Sequence, residues 1–459
     1  MKKLKLIVLT SLIAVLSLLV LTACNRNGGD AGAADFDPDV DFRADVPAAL
    51  RMSWWGSDAR HEGIIAAVRH FMSENPHITV EYAPGGWDGY HHSLTIQLFA
   101  GDAPDLFSFG AGYRVLYGIG GHLIDYADYM HLFPFLEERR AILETSVYTV
   151  GGRIIGVPAG IDAQILAFSK TLFDRAGVPH PTDDMAAQDL LDLVEEAALA
   201  LGPGYFWNGG WYWGPGWESL GAMGQPPDWV DFTDIETQPP TLNLDMDIHR
   251  RTWARVEQMW DNGTLPRAGD EEVGFAVGNT LMYYTRTPRA TSEATEHELG
   301  FVVPARRWAA GDPVYAGMPG PGLFWGVSST SDHILQALFL LEFIQTNPTA
   351  VEHIGFLVGQ PTNPGSLAHL MTTLEPGSYE YIHLDIARRF REDVDMYIDR
   401  PTFAGAPEAT QAFEQVFEEF IFGVIDLEEF LVRSISDVEA AFEEFFIPQE
   451  EVIAAMQDD

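Results

Sequence analysis

One cysteine in 459 residues, and almost no lysine, set the first limits. With Cys24 alone no internal disulfide can form, so stability must come from a packed core. Lys170 is the only lysine beyond the first five residues, and arginine carries nearly all of the positive charge. That charge is scarce: 27 basic residues face 67 acidic ones, for a net charge of -40. Such a surface repels nucleic acid and anionic membrane. Enzyme signatures are also missing. There is no HExxH, no GxSxG between strand and helix, no P-loop and no Cys–His metal spacing, so the chain is read as a non-enzyme without cofactor or metal. A glycosidase needs two facing carboxylates about 5 to 10 Å apart, which a sequence this rich in acid does not single out. His91 and His92 are adjacent, cannot share one helical face, and read as a surface pair.

The N-terminus reads as a targeting segment. Lys2, Lys3 and Lys5 precede an apolar stretch from Leu6 to Val20, which is short of the roughly 20 residues a spanning helix needs. It ends in Leu21-Thr22-Ala23-Cys24, which resembles a bacterial lipobox. The resemblance implies a signal peptide over 1–23 and a mature chain that begins at a lipidated Cys24, held on the outer face of the cell membrane. A signal anchor, or a plain signal peptide with an incidental cysteine, is the other reading. Asn25 rather than Asp follows the cysteine, so nothing argues for inner-membrane retention. Residues 24–47, rich in Gly, Ala and Asp and without apolar period, read as a flexible acidic tether. Without the three signal lysines the 27 basic residues fall to 24 against 67 acidic, and the net charge becomes -43.

The remaining body, roughly 410 residues, exceeds what one core usually covers, so two domains are expected. Leu50–Trp55 alternates as a first strand and ends at Gly56. Ser57 or Asp58 can cap a helix carrying Ile64, Ile65, Val68, Phe71 and Met72, which stops at Asn75-Pro76. A second strand, Ile78–Tyr82, completes a βαβ unit and hence a parallel sheet. A helix over Tyr90–Ala100 leads to a third strand, Asp105–Phe109. Ligands of such sheets sit beyond the carboxyl ends of the strands, which points to the loops Trp54–Arg60, Gly85–Tyr90 and Gly110–Arg114. Further helices are expected over Ala187–Leu201, Arg250–Trp260 and around Phe339–Phe343, and two more carry the Phe stripes that run from Phe413 to Phe442.

Six segments, in order, carry a resemblance. They are LRMSWWGSDARHEGIIAAVRHFMSENPHITVEY, LTIQLFAGDAPDLFSF, VGGRIIGVPAGIDAQILAFSKTLFDRAGVPHPTD, VGNTLMYY, GPGLFWGVSSTSDHILQALFLLEFI and GQPTN. Together the chain resembles the family 1 extracellular solute-binding proteins of carbohydrate ABC importers. Trp54-Trp55-Gly56 with Arg60-His61, then Gly86-Trp87-Asp88-Gly89-Tyr90, is similar to members that bind pectin-derived oligosaccharides. FGAGYR after the third strand, and Thr182-Asp183-Asp184 in place of a Thr-Trp, depart from that narrower pattern. The resemblance implies an α/β chain of two lobes, the type II periplasmic-binding-protein-like fold, with the ligand cleft between the lobes and about three hinge crossings. It divides the chain into a first lobe of 48–157 plus 326–399 and a second of 158–325 plus 400–459. It implies a monomer that takes a sugar and passes it to ABC permease subunits.

Sugar rings have apolar faces and a rim of hydroxyls, so a cleft needs flat aromatic platforms with planar polar groups at their edges. Trp54 and Trp55 end the first strand, one to be buried and one exposed. Asp58 and Arg60 either contact hydroxyls or cap the helix. Trp87 and Asp88, flanked by glycines, are a platform and an acceptor, or else a tight turn with Trp87 in the core. Tyr113 and Arg114 follow the third strand, and Asp162 lies in the crossing. Trp211, Trp213 and Trp217 interleave with glycine in a stretch that cannot be regular helix, and Tyr284, Arg286 and Trp325 complete the candidates. Three function classes follow: a transport receptor, a secreted glycosidase or lyase, and a sensory or adhesive sugar-binding lipoprotein.

Overall fold

The computed structural model describes residues 41–44, 46–144, 148–160, 165–208, 246–266, 278–285, 295–302, 322–392 and 406–445, with 242, 309, 318–319 and 397–398. Strand β1, Ala48–Trp55, alternates buried and exposed residues from Ala48 to Met52. Helix α1, Asp58–Glu74, starts where the Ser57 hydroxyl accepts the Arg60 N–H and stops at Asn75. It buries Ile64, Ala67, Val68 and Phe71, while Ile65 and Met72 are half-buried. Strand β2 is Ile78–Gly85 and helix α2 is Trp87–Phe99. The Gly85–Tyr90 stretch, expected as a loop, is therefore mostly first helical turn, with Gly86 as its N-cap. Strand β3, Leu106–Gly110, is wholly buried and runs through a short turn of 3₁₀ helix into α3, Arg114–Ile119.

Strand β4, Val157–Gly160, is followed by β5, Ile165–Ser169, helix α4, Lys170–Ala176, and helix α5, Ala187–Leu201. Then come β6, Phe206–Asn208, α6, Met246–Asp261, β7, Thr280–Thr285, and β8, Leu299–Val302. Strand β9, Leu323–Val327, leads to α7, Ile334–Thr346, α8, Pro348–Ile354, α9, Pro364–Thr373, and α10, Tyr379–Glu392. Helices α11, Ala406–Ile421, and α12, Leu427–Phe445, come last.

Two separate sheets make two lobes. The first has the order β2-β1-β3-β9-β4, and the second β8-β5-β7-β6. In the first, β1 is parallel to β2 and β3, whereas β9 is antiparallel to both β3 and β4. The core follows the sheets. One cluster joins β1–β4 and β9 to α1, α7 and α8; the other joins β5, β7, α5 and α6 to Phe413, Phe417, Phe420, Phe430 and Phe442 from α11 and α12. Strands β4 and β9 both stand in the first sheet, β4 running to Gly160, beyond the division expected at 157/158, and β9 beginning at Leu323, before the one expected at 325/326. Their pairing with each other and with β3 buries Val157, Phe324 and Trp325, which holds them there. The tether also ends earlier than residue 47. Phe42 is buried against Phe133, and Arg43 donates to the Leu132 carbonyl and pairs with Glu342.

Candidate functional site

Register brings the loops of interest to one edge. Trp55 lies opposite Gly85 in the parallel pair β1–β2, and Leu323 lies opposite both Gly110 and Gly160 in the antiparallel pairs. The carboxyl ends of β1, β2, β3 and β4 therefore share the edge at which the chain leaves the first sheet, after Gly160, for the second, at Ile165.

At that edge Trp55 is half-buried and carries the Arg60 guanidinium over its ring at 4.7 Å. Arg60 also donates to the Trp55 carbonyl at 3.2 Å and to the Leu357 carbonyl. Gly56 is what lets it do so, since a Cβ there would fall 2.4 Å from the Arg60 Cδ. The Tyr90 hydroxyl donates to the Ser108 carbonyl at 2.9 Å and lies 3.1 Å from the Ser53 hydroxyl. Burial pushes its pKa up to about 12 despite those bonds.

His91 is buried, contrary to the expectation of a surface pair; only His92 is exposed. The first turn of α2 turns His91 inward, where its Nε2 accepts the Gly110 N–H at 3.0 Å. Burial holds its pKa down at about 4, so the ring is neutral and can accept. Tyr113 stacks on it with ring centres 4.1 Å apart and planes 4° from parallel, and Trp55 stands on the same ring at 6.2 Å. Trp55, His91 and Tyr113 thus form an aromatic row along the strand ends. Tyr113 is half-buried, and its pKa is raised by burial and then by the charge of Glu408, which comes from α11 of the second lobe.

Other candidates fall elsewhere. Trp54 and Trp325 are core residues, 0% and 1% exposed, and offer no platform. Trp54 is the inward member of the Trp pair, against His61 and Tyr82. Trp325 sits mid-strand between β3 and β4, walled on both sides. Arg114 is 4% exposed at the start of α3, so it too is covered. Asp58 is exposed in the first turn of α1, where a carboxylate favours the helix dipole. Trp87 and Asp88 open α2, and Tyr284 stands on β7 opposite Leu166. Cys24, Asp162, Trp211, Trp213, Trp217 and Arg286 lie outside the described residues. Among the described residues there is no group of three or more metal-ligating side chains, and no helix is long and apolar enough to cross a membrane.

Residues 66–370 match the family model of the bacterial extracellular solute-binding proteins. This chain belongs to that family. Three solved structures share the fold of this solute-binding protein. One is an extracellular solute-binding protein family 1 member from Alicyclobacillus acidocaldarius, with a TM-score of 0.62 and 16% identity over 87% of this chain and 99% of that one. A periplasmic solute-binding protein from Pectobacterium atrosepticum has a TM-score of 0.70 and 19% identity, over 86% and 99%. A periplasmic oligogalacturonide-binding protein from Yersinia enterocolitica, in complex with saturated digalacturonic acid, has a TM-score of 0.66 and 17% identity, over 89% and 100%. Among curated proteins, a putative binding protein of Brucella abortus is 30% identical over 114 residues, which are 24% of this chain and 26% of that relative. The chain thus spans about a quarter of the length of the curated relatives it matches.

Proposed function

We propose that this solute-binding protein is the sugar-capturing lipoprotein of a carbohydrate ABC importer. It is anchored outside the cell by a lipid on Cys24, closes its lobes on an oligosaccharide, and delivers it unchanged to a membrane permease. The observation that carries the reading is the row Trp55–His91–Tyr113 at the edge where the chain crosses between lobes. Flat rings suit the apolar faces of sugars, and Tyr113 adds a hydroxyl close to Glu408 of the other lobe. The fold shared with an oligogalacturonide-binding protein supports a carbohydrate, and Arg60 on Trp55 supports a neutral or weakly acidic one. The net charge of -43 in the mature chain opposes a polyanion only at long range, because salt screens beyond about 8 Å.

A thermal-shift screen against neutral and uronate oligosaccharides tests this, since a ligand of the folded state raises the melting temperature. Trp55→Ala and Tyr113→Ala should each weaken binding by roughly 1 to 3 kcal/mol. Wild-type affinity in both variants would mean the sugar sits elsewhere. Products of cleavage in the bound fraction would make the protein an enzyme instead. Mass spectrometry of membrane-extracted protein should find diacylglycerol on Cys24, and an intact Met1 would exclude it.

A further inference from the structure

Arg60 stands in the first turn of α1, three residues after the Ser57 cap. A cation there works against the helix dipole, so its own helix does not account for it. Its stem passes close over Gly56, where a Cβ would fall 2.4 Å from the Arg60 Cδ. Beyond that point the guanidinium lies over the Trp55 ring at 4.7 Å, within cation–π range. Two of its nitrogens meet backbone. Nη1 donates to the Trp55 carbonyl at 3.2 Å, and Nε donates to the Leu357 carbonyl.

Leu357 is itself a fixed point. The start of α1 and the end of α8 touch so closely that a Cβ on Gly63 would fall 2.6 Å from Leu357 Cδ1 and 2.7 Å from the His353 carbonyl oxygen. The Leu357 N–H also donates to the Ile354 carbonyl at 3.0 Å. Arg60 therefore joins the end of β1 to the turn after α8, with its charged end on the Trp55 ring. These bonds limit what it can offer a ligand. A guanidinium grips a carboxylate with two parallel N–H groups. The side-on grip needs the single Nε hydrogen, which the Leu357 carbonyl already takes. A uronate held that way would break a bond that keeps the edge together.

We infer that Arg60 is a positioning residue of the cleft, which fixes the Trp55 ring as a platform and acts on a sugar through that ring rather than by touching it. The inference rests on the reading of the aromatic edge as a carbohydrate site. A ring held beforehand loses little freedom when a sugar stacks on it, so a pinned Trp55 binds more tightly than a loose one. The guanidinium takes one face of the indole and the sugar takes the other. Neutral and uronate sugars gain alike from the pinned ring, and the charge of Arg60 favours an acidic sugar only through its field.

Calorimetry with maltotriose and digalacturonic acid as probes tests this. Arg60→Met keeps an unbranched stem and loses the guanidinium, and should weaken whichever probe binds the wild type by roughly three- to tenfold. Gly56→Ala leaves every charge in place but pushes Arg60 off the ring, and should give a similar loss. It also carries the test if Arg60→Met does not fold. Wild-type affinity in either variant would overturn the inference. The double variant Arg60→Met with Trp55→Ala decides how Arg60 acts. Without the indole there is no platform to position, so adding Arg60→Met to Trp55→Ala should cost less than about twofold. A loss as large as in the wild-type background would mean that Arg60 meets the sugar itself, or supports the fold in general, and would overturn positioning through Trp55. If neither probe binds the wild type, or if Trp55→Ala binds as the wild type does, the carbohydrate reading of the edge falls and takes this inference with it.

Discussion

The two lobes bury their cores in different ways. The first is a sheet clasped by helices, and nearly all of it comes from one run of chain, closed by β9, α7 and α8. It also buries a polar framework, in which Arg139, Gln345, Thr362 and Pro158 hold the crossing strand. The second lobe relies on helix packing around Trp253, whose ring lies 4.7 to 6.5 Å from those of Phe430, Phe417, Phe420 and Phe413. Those phenylalanines belong to α11 and α12, far along the chain from α6, which carries Trp253. One lobe is therefore completed by β9, α7 and α8 and the other only by the last described helices, and the site edge belongs to the first.

Removing α11 and α12 should break this contrast most severely. A chain ended after Glu392 would lack Phe413, Val416, Phe417, Phe420, Phe430, Leu431, Val438 and Phe442 from the second core and nothing from the first. Calorimetry should show one transition lost and one kept. Loss of both would mean that the lobes do not fold independently. Trp253→Ala is the milder form, and should cost about 3 to 5 kcal/mol by the usual scale of core truncation. Limited proteolysis of that variant should cut within 165–302 before it cuts within 48–160. Simultaneous cleavage would contradict the separation.

Acid should act on both lobes, because among the described residues each buries a histidine. His91 in the first and His249 in the second are both pushed by burial from 6.5 to about 4. The unfolded chain takes up these protons near 6.5 and the folded one only near 4, so stability is full above 6.5 and is lost as pH falls towards 4. Each histidine contributes up to about 3 kcal/mol over that range. His249→Phe should flatten the pH dependence of the second lobe's transition and leave that of the first. An unchanged slope in both would mean that His249 takes up its proton in the folded state too. Arg43→Ala should have the smallest effect, about 1 kcal/mol, given a partly exposed ion pair and rings on which the guanidinium rests. It should lower only the first transition, since Phe42, Phe133 and Phe339 all pack on that lobe.

Wherever a rule depends on near neighbours, the sequence could be read directly. The alternation of β1, the Ser57 cap, the Asn75 stop of α1 and the whole of α5 follow from side-chain period and capping chemistry within a few residues. The inward and outward split of Trp54 and Trp55 follows likewise from strand parity. Which of the two faces inward does not, because that depends on where the helices lie. Gly85-Gly86 read as a loop or tight turn around Trp87, yet one N-capping glycine is enough to start α2 at once.

Long-range pairings lie beyond such reading. His91 is buried because the Gly110 N–H, 19 residues away, needs an acceptor and Tyr113 supplies a stacking face. Gln360 stands in the GQPTN segment that carried part of the family resemblance, but nothing local marks its amide as buried and unpaired. Length and apolar period by themselves determined that the chain is α/β with more than one core, because burying a sheet on helices needs only the right residue type at the right interval; the two-lobed solute-binding fold was what the resemblance of six segments implied. The tertiary structure decided which polar groups meet and which stay unmet, because a hydrogen bond is settled within a few tenths of an ångström by segments that the chain brings together only after folding.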